Sequence, residues 1–169
     1  GTGFVTHDFD HISKNMPVGM NAQLVDVTSA YAVLSLFGPK ARPILQAITS
    51  DDISNDVLPF GASKTIDIAG CPVSALWVSY VGELGWELHL PTEYAAAVYD
   101  AIDHAGAIHA LRNAGFRAIE TLRLEKGFRA WSADIGPDHT PFEAGLGFAV
   151  KLDTNLAFKG RDALMAQAS

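Results

Sequence analysis

The chain has 169 residues, 49% of them apolar and 18% charged, with a net charge of −7. That composition suits a globular domain with a real core and excludes a disordered segment, and the acidic balance argues against broad binding to nucleic acid or an anionic membrane. No apolar run reaches the length of a bilayer span, and the one cysteine, Cys71, excludes an internal disulfide and suits a reducing compartment.

Thr6 can cap a first helix, in which Phe9, Ile12 and Met16 recur on one face. Pro17 and Gly19 end it. Residues 24–27 and 31–37 read as strands around a Thr28-Ser29 turn, and Gly38-Pro39 breaks the second. Pro39 suits the first turn of a helix to about Ile48, with Pro43 still near its start. Residues 51–61 form a polar connection. Residues 63–68 and 73–80 flank Ala69-Gly70-Cys71-Pro72, a strong hairpin signal. A third strand spans 86–90, with Glu87 and His89 on one face and Trp86, Leu88 and Leu90 on the other.

Thr92 then caps a helix whose buried stripe is Ala95, Val98, Ala101, Ile102 and Ala105, with Gly106 as its stop. A further helix runs from about Asn113 to Lys126, Ile119 and Leu122 inward and Gly127 beyond its end. Thr140-Pro141-Phe142-Glu143 has capping-box spacing and predicts a short helix cut off by Gly145 and Gly147. Residues 160–169 predict a last amphipathic helix. Helices mixed with adjacent hairpins make the fold α+β, with a mainly antiparallel sheet rather than a dinucleotide fold.

Few groups carry chemistry. His7 and His11 share a helical face but lack a third ligand and the usual glutamate base, so no metal site is expected. Cys71 precedes a proline in a turn, with no lysine or histidine to activate it. In Tyr80-Val81-Gly82-Glu83-Leu84-Gly85-Trp86-Glu87, two glycines let the backbone bend and bring Tyr80 and Glu87 toward one patch. A carboxylate there can accept two parallel N–H bonds from a flat amino-heterocycle; a solvated glutamate on an ordinary hairpin gives the same pattern. Arg112, Arg117, Arg123, Lys126 and Arg129 make one stretch locally basic against Glu120 and Glu125. It reads either as a counter-charge for an anionic ligand tail or as a salt-bridged helix face. Trp131, in the loop after Gly127, is either a stacking surface or core.

Three blocks go beyond local pattern: Ser79-Tyr80-Val81-Gly82-Glu83-Leu84-Gly85-Trp86-Glu87-Leu88, Leu122-Arg123-Leu124-Glu125-Lys126-Gly127, and Thr140-Pro141-Phe142-Glu143-Ala144-Gly145-Leu146-Gly147-Phe148. In this order and spacing the chain resembles the folate-binding aminomethyltransferase family, the T-protein of the glycine cleavage system and its relatives. The Leu-Arg-Leu-Glu-Lys-Gly block and residues 131–135 look most like the folate domain of dimethylglycine and sarcosine dehydrogenases. The glycine-cleavage enzyme usually carries a further arginine one turn before Arg123, where this chain has Ile119.

The resemblance implies tetrahydrofolate as cofactor and transfer of a one-carbon unit from a small amine substrate. It implies that Tyr80 lines a pterin pocket and that Glu87 reads the pterin's amino and ring N–H groups. Arg123 lies in the matching arginine block, and Trp131 is a candidate pocket wall. The catalytic aspartate of relatives lies upstream of the segment matching Gly1-Thr2-Gly3, so no catalytic residue is expected here. Residues 1–169 are therefore expected to be the central to C-terminal part of such a domain, lacking its N-terminal portion and the small β-rich domain that follows. The partners expected are the rest of its own polypeptide, with self-association of the isolated piece, and FAD only if a dehydrogenase region is fused upstream. The resemblance leaves open a non-catalytic folate-binding protein on the same fold and a folate-dependent demethylase of another substrate. The expected location is cytoplasmic, or the mitochondrial matrix in a eukaryote.

Overall fold

A computed structural model describes residues 2–168. The chain forms two compact units, residues 1–113 and 114–169.

In the first unit, α1 (Val5–Asn15) is followed by residues 21–27, which take no regular structure. The strand expected at 24–27 does not form. Its apolar residues pair with no neighbouring strand among the described residues, and β-propensity without a partner is weak. Instead the Asp26 carboxylate accepts the Thr28 N–H at 2.9 Å and turns the chain into a short 3-10 turn, Thr28–Ala30.

Among the described residues the sheet has four strands: β1 (Tyr31–Phe37), β2 (Ser63–Ile68), β3 (Cys71–Leu76) and β4 (Gly85–Pro91). They lie in the order β1-β4-β3-β2, every pair antiparallel. The α+β class read from the sequence is therefore the one observed.

The β2–β3 hairpin turns in two residues, Ala69 and Gly70, both at positive φ, 55° and 77°. That is the geometry favoured in tight hairpins. The turn is thus shorter than the four residues expected, and Pro72 enters the strand opposite Asp67. It is tolerated because β3 pairs with β4 only over Ser74–Leu76, so no second neighbour needs the missing N–H. At its other end β3 stops at Leu76, where the Val78 N–H turns back to the Leu76 carbonyl.

Helices α2 (Ala41–Gln46) and α3 (Ala95–Gly106) pack against the sheet. Ile44, Leu45, Val98 and Ile102 meet the buried set Leu36, Ile66, Val73, Trp86, Leu88 and Leu90. The connection at 51–61 is not wholly polar, because Ile53 and Leu58 anchor it in this core. Arg42 donates to the Ile53 carbonyl and stacks 5.0 Å from both the Trp77 and Trp86 rings. Thr92 does not cap α3; its hydroxyl donates to the Ser29 carbonyl, and a 3-10 turn leads into the helix. The α-helix does end at Gly106, as expected, though not at a left-handed glycine, and a 3-10 turn, Ala107–His109, follows. A Cβ at Gly106 would collide with Leu111, so glycine serves close packing, and the left-handed terminator is Ala110 at φ 56°.

The second unit opens with α4 (Phe116–Glu125). Gly127, at φ 69°, terminates it as expected, and the Phe128 N–H closes back on the Arg123 carbonyl at 2.9 Å. Thr140 and Glu143 exchange the two capping-box bonds: the Thr140 N–H donates to the Glu143 carboxylate, and the Glu143 N–H to Thr140 Oγ1. Only one turn follows, because Gly145 at φ 68° diverts the chain at once. The last helix, α5 (Arg161–Ala168), exposes all its described residues or leaves them half-buried.

Candidate functional site

β4 is an interior strand, so its backbone is held on both sides. Its inward residues Trp86, Leu88 and Leu90 are fully buried. Its outward residues are therefore presented on a strand that has little freedom to shift. Glu87 lies opposite Ser35 on β1 and Leu76 on β3. His89 lies opposite Val33 and Ser74. Directly opposed residues point to the same face, so this face carries one carboxylate, one imidazole, two hydroxyls and two apolar side chains in adjacent rows. The Glu87 and His89 side chains are each 37% exposed, and His89 Nε2 lies 3.2 Å from Glu87 Oε2.

The strand entrance is fixed by the segment before it. Ser79 Oγ accepts the Val81 and Glu83 N–H groups, Val81 is buried, and Gly82 sits at φ 69°. The Gly38 N–H donates to the Leu84 carbonyl at 2.8 Å, tying the bend to the end of β1. Gly85 is required where it stands, because a Cβ would run into the Leu36 carbonyl and into Phe37. Tyr80 rides on this bend, 41% exposed. The glycine-hinged bend expected from the sequence is therefore present. It leads straight into the strand bearing Glu87, whose observed side-chain partner is His89.

In the second unit Arg123 and Trp131 are joined through one loop. Arg123 is 2% exposed. Its guanidinium donates to Glu120, to Asp134 and, at 2.9 Å, to the Phe128 carbonyl. The bonds to Glu120 first and then to Asp134 raise its pKa above the usual arginine value. Asp134 in turn accepts the Ala130 N–H at 2.8 Å, which together with Arg123 holds its carboxyl below the ordinary carboxylate range. The loop closes with the Ser132 N–H on the Ile135 carbonyl at 2.7 Å and an isolated bridge between Trp131 and Ile135. Trp131 is held on this loop 54% exposed. Of the two readings of Trp131, the surface one describes the structure. For the basic stretch, Arg123 is the salt-bridged element of a helix face rather than an open counter-charge.

Sequence reasoning singled out neither His89 nor Asp134 as a site residue. The signal for His89 was on the page, since residues two apart on a strand share a face. Asp134 left no such trace, because it reaches Arg123 through a loop turn eleven residues away. Among the described residues, no cluster of three or more His, Cys, Asp or Glu side chains could hold a metal ion. Nor is any helix among them long and apolar enough to cross a membrane. Cys71 is buried, and burial pushes its thiol pKa up, away from reactivity.

The model of the GCVT N-terminal domain matches residues 1–154. The mitochondrial sarcosine dehydrogenase of Mus musculus is 44% identical over 168 residues, 99% of this chain and 18% of that protein. The mitochondrial dimethylglycine dehydrogenase of Homo sapiens is 41% identical over 165 residues, 97% of this chain and 19% of that protein. The chain thus spans about a fifth of the length of these curated relatives. Among solved structures, the heterotetrameric sarcosine oxidase of Corynebacterium sp. U-96 shares the fold at a TM-score of 0.51 and 18% identity, over 63% of this chain and 53% of that one.

Proposed function

This chain belongs to the GCVT N-terminal domain family, and from that membership we propose that it forms part of a larger enzyme carrying out tetrahydrofolate-dependent one-carbon transfer in the breakdown of methylated amines or glycine. The observation that carries the reading is the Glu87 carboxylate, presented half-exposed on an interior strand with a histidine ring nitrogen 3.2 Å from one of its oxygens. A ligand with adjacent N–H donors, such as a pterin edge, suits that acceptor. Tetrahydrofolate, when bound, supplies the nitrogen that takes up the one-carbon unit.

This chain's residues bind and orient. Glu87 accepts from the pterin edge, and Tyr80 packs beside it from the bend. In the second unit, by itself, Trp131 exposes a ring face suited to stacking. Arg123 acts at one remove, by holding the loop on which Trp131 is carried. No residue here is assigned a proton-handling role, and none is assigned to a flavin. A small secondary or tertiary amine is the donor class, in keeping with the names of the relatives matched. A mitochondrial matrix location in a eukaryote, and a cytoplasmic one otherwise, goes with the same reading.

The test is Glu87→Gln in the full-length protein, with folinic acid, a stable reduced folate, titrated by calorimetry. A charge-assisted bond is worth roughly 1.5–3 kcal/mol, so binding should weaken on the order of ten-fold or more. An unchanged Kd removes Glu87 from the pocket and the reading with it.

A further inference from the structure

On β4 the glutamate does not stand alone. His89 Nε2 lies 3.2 Å from Glu87 Oε2, both on the half-exposed face of the sheet. A carboxylate only accepts, so the Nε2 of the imidazole carries the hydrogen of this contact. Glu87 Oε1 has no hydrogen-bond partner among the described residues. An unrestrained glutamate rotates freely about its terminal torsion and presents its two oxygens interchangeably. Here one oxygen is occupied by a ring that is itself placed by an interior strand, between Val33 and Ser74. The other is left over.

We infer that His89 is a positioning residue for Glu87: its Nε2–H pins Oε2 and leaves Oε1, at a set orientation, as the atom that receives the ligand's N–H. This rests on the reading of Glu87 as the ligand-reading acid. A histidine suits the position because its ring is short and rigid and loses little rotamer freedom. A lysine would meet the same oxygen as a mobile point charge and would not fix the carboxylate plane.

The inference makes a claim that simple contact between His89 and the ligand does not: His89 matters only through Glu87. A double-mutant cycle in the full-length protein isolates that coupling, with folinic acid as the titrated probe. His89→Leu should weaken binding about five-fold or more, and His89→Gln, which keeps a donor N–H, should recover most of the loss. In a Glu87→Gln background, His89→Leu should add nothing further. Equal losses in both backgrounds overturn the inference, as does a His89→Leu variant that binds like the parent while Glu87→Gln does not. Nitrogen NMR of the histidine-labelled protein without ligand gives an independent reading. The neutral His89 ring should carry its hydrogen on Nε2, and a predominant Nδ1–H tautomer overturns the pinning. If Glu87→Gln alone leaves the Kd unchanged, the functional reading fails and the ligand part of the inference falls with it. The tautomer then decides whether the pinning contact itself exists.

Discussion

Gly85→Ala probes whether the start of β4 is as tightly seated as the structure shows. The added Cβ would run into three atoms: the Leu36 carbonyl oxygen, the Phe37 Cα and Cδ1 of the Phe37 ring. The ring can swing aside, but the other two are backbone atoms of β1, and Phe37 is the direct register partner of Gly85. Relief therefore means separating the strands at this end, where the Gly38 N–H to Leu84 carbonyl bond closes the bend. Overpacking of this kind costs about 1–3 kcal/mol, and a lost backbone bond adds about 1 kcal/mol. Against this, alanine in place of glycine narrows the unfolded ensemble by about 0.4–1 kcal/mol. The net expectation is a loss of roughly 2 kcal/mol, or a fall in melting temperature of about 4–8 °C for a protein this size. Urea melts of the variant and its parent measure it. Gly136→Ala is the control, since its Cβ would meet open space, and it should stay within about 0.5 kcal/mol of the parent. A Gly85→Ala protein as stable as that control would refute the close approach. Folinic acid binding should weaken in the same variant, because Glu87 lies two residues along the displaced strand.

Arg123→Met should leave Glu120 and Asp134 without their cation and loosen residues 128–135. Hydrogen exchange at the Ser132 and Asp134 amides should then speed by at least ten-fold, and unchanged protection there would count against the latch. Asp134 and Glu143 are both held below the ordinary carboxylate range, chiefly by the backbone N–H groups of Ala130 and Thr140. Their folded forms bind protons less readily than the unfolded chain. The stability they contribute is fully present above about pH 5 and is lost as pH falls through 4 and below. Melts from pH 6 to 3 should show that acid limb, and it should flatten in an Asp134→Asn, Glu143→Gln variant. Trp131→Ala should leave the melting temperature within about 2 °C, because the ring is 54% exposed, and a larger fall in a thermal melt would show the ring to be packed. Phe9, Ile12, Val25, Val27, Tyr31 and Val33 are all exposed in the first unit, so the 169-residue chain expressed alone should self-associate. Light scattering at high concentration checks it, and a clean monomer would contradict it.

The sequence was most readable where a local rule and the tertiary fold agree. Alternation marked β4 and assigned its two faces, because an interior strand with a covered side must bury Trp86, Leu88 and Leu90. The α3 stripe at Val98 and Ile102 was legible for the same reason at helical period. The capping-box pair Thr140–Glu143 was legible because its chemistry is complete within four residues. The sequence was less readable where a distant residue outvoted the local signal. Residues 24–27 are strand-like in composition but gain no ladder. Gly106 does end α3, but its missing Cβ also makes room for Leu111, which no local rule foretells. For Arg123 the sequence offered a counter-charge or a salt-bridged helix face, and the loop that folds back to bring Asp134 against it decides for the second.

The site divides along the same line. Glu87 was identified by a motif, and a motif names a residue without saying what holds it. The holding is done by periodicity, which places His89 on the same face, and by topology, which puts β4 between two neighbours instead of at an edge. On an edge strand the same Glu–His pair would be a weak exposed contact, free to shift with its backbone. On an interior strand, with three large residues locked beneath it, the pair has a fixed frame. A carboxylate must be held to within about 0.5 Å for its remaining oxygen to meet a ligand's N–H, and that frame is what allows it. The functional reading therefore depends less on the presence of an acid than on the strand that carries it, which is why substitutions at Gly85 and His89, neither of them assigned to contact the ligand, should weaken binding along with those at Glu87.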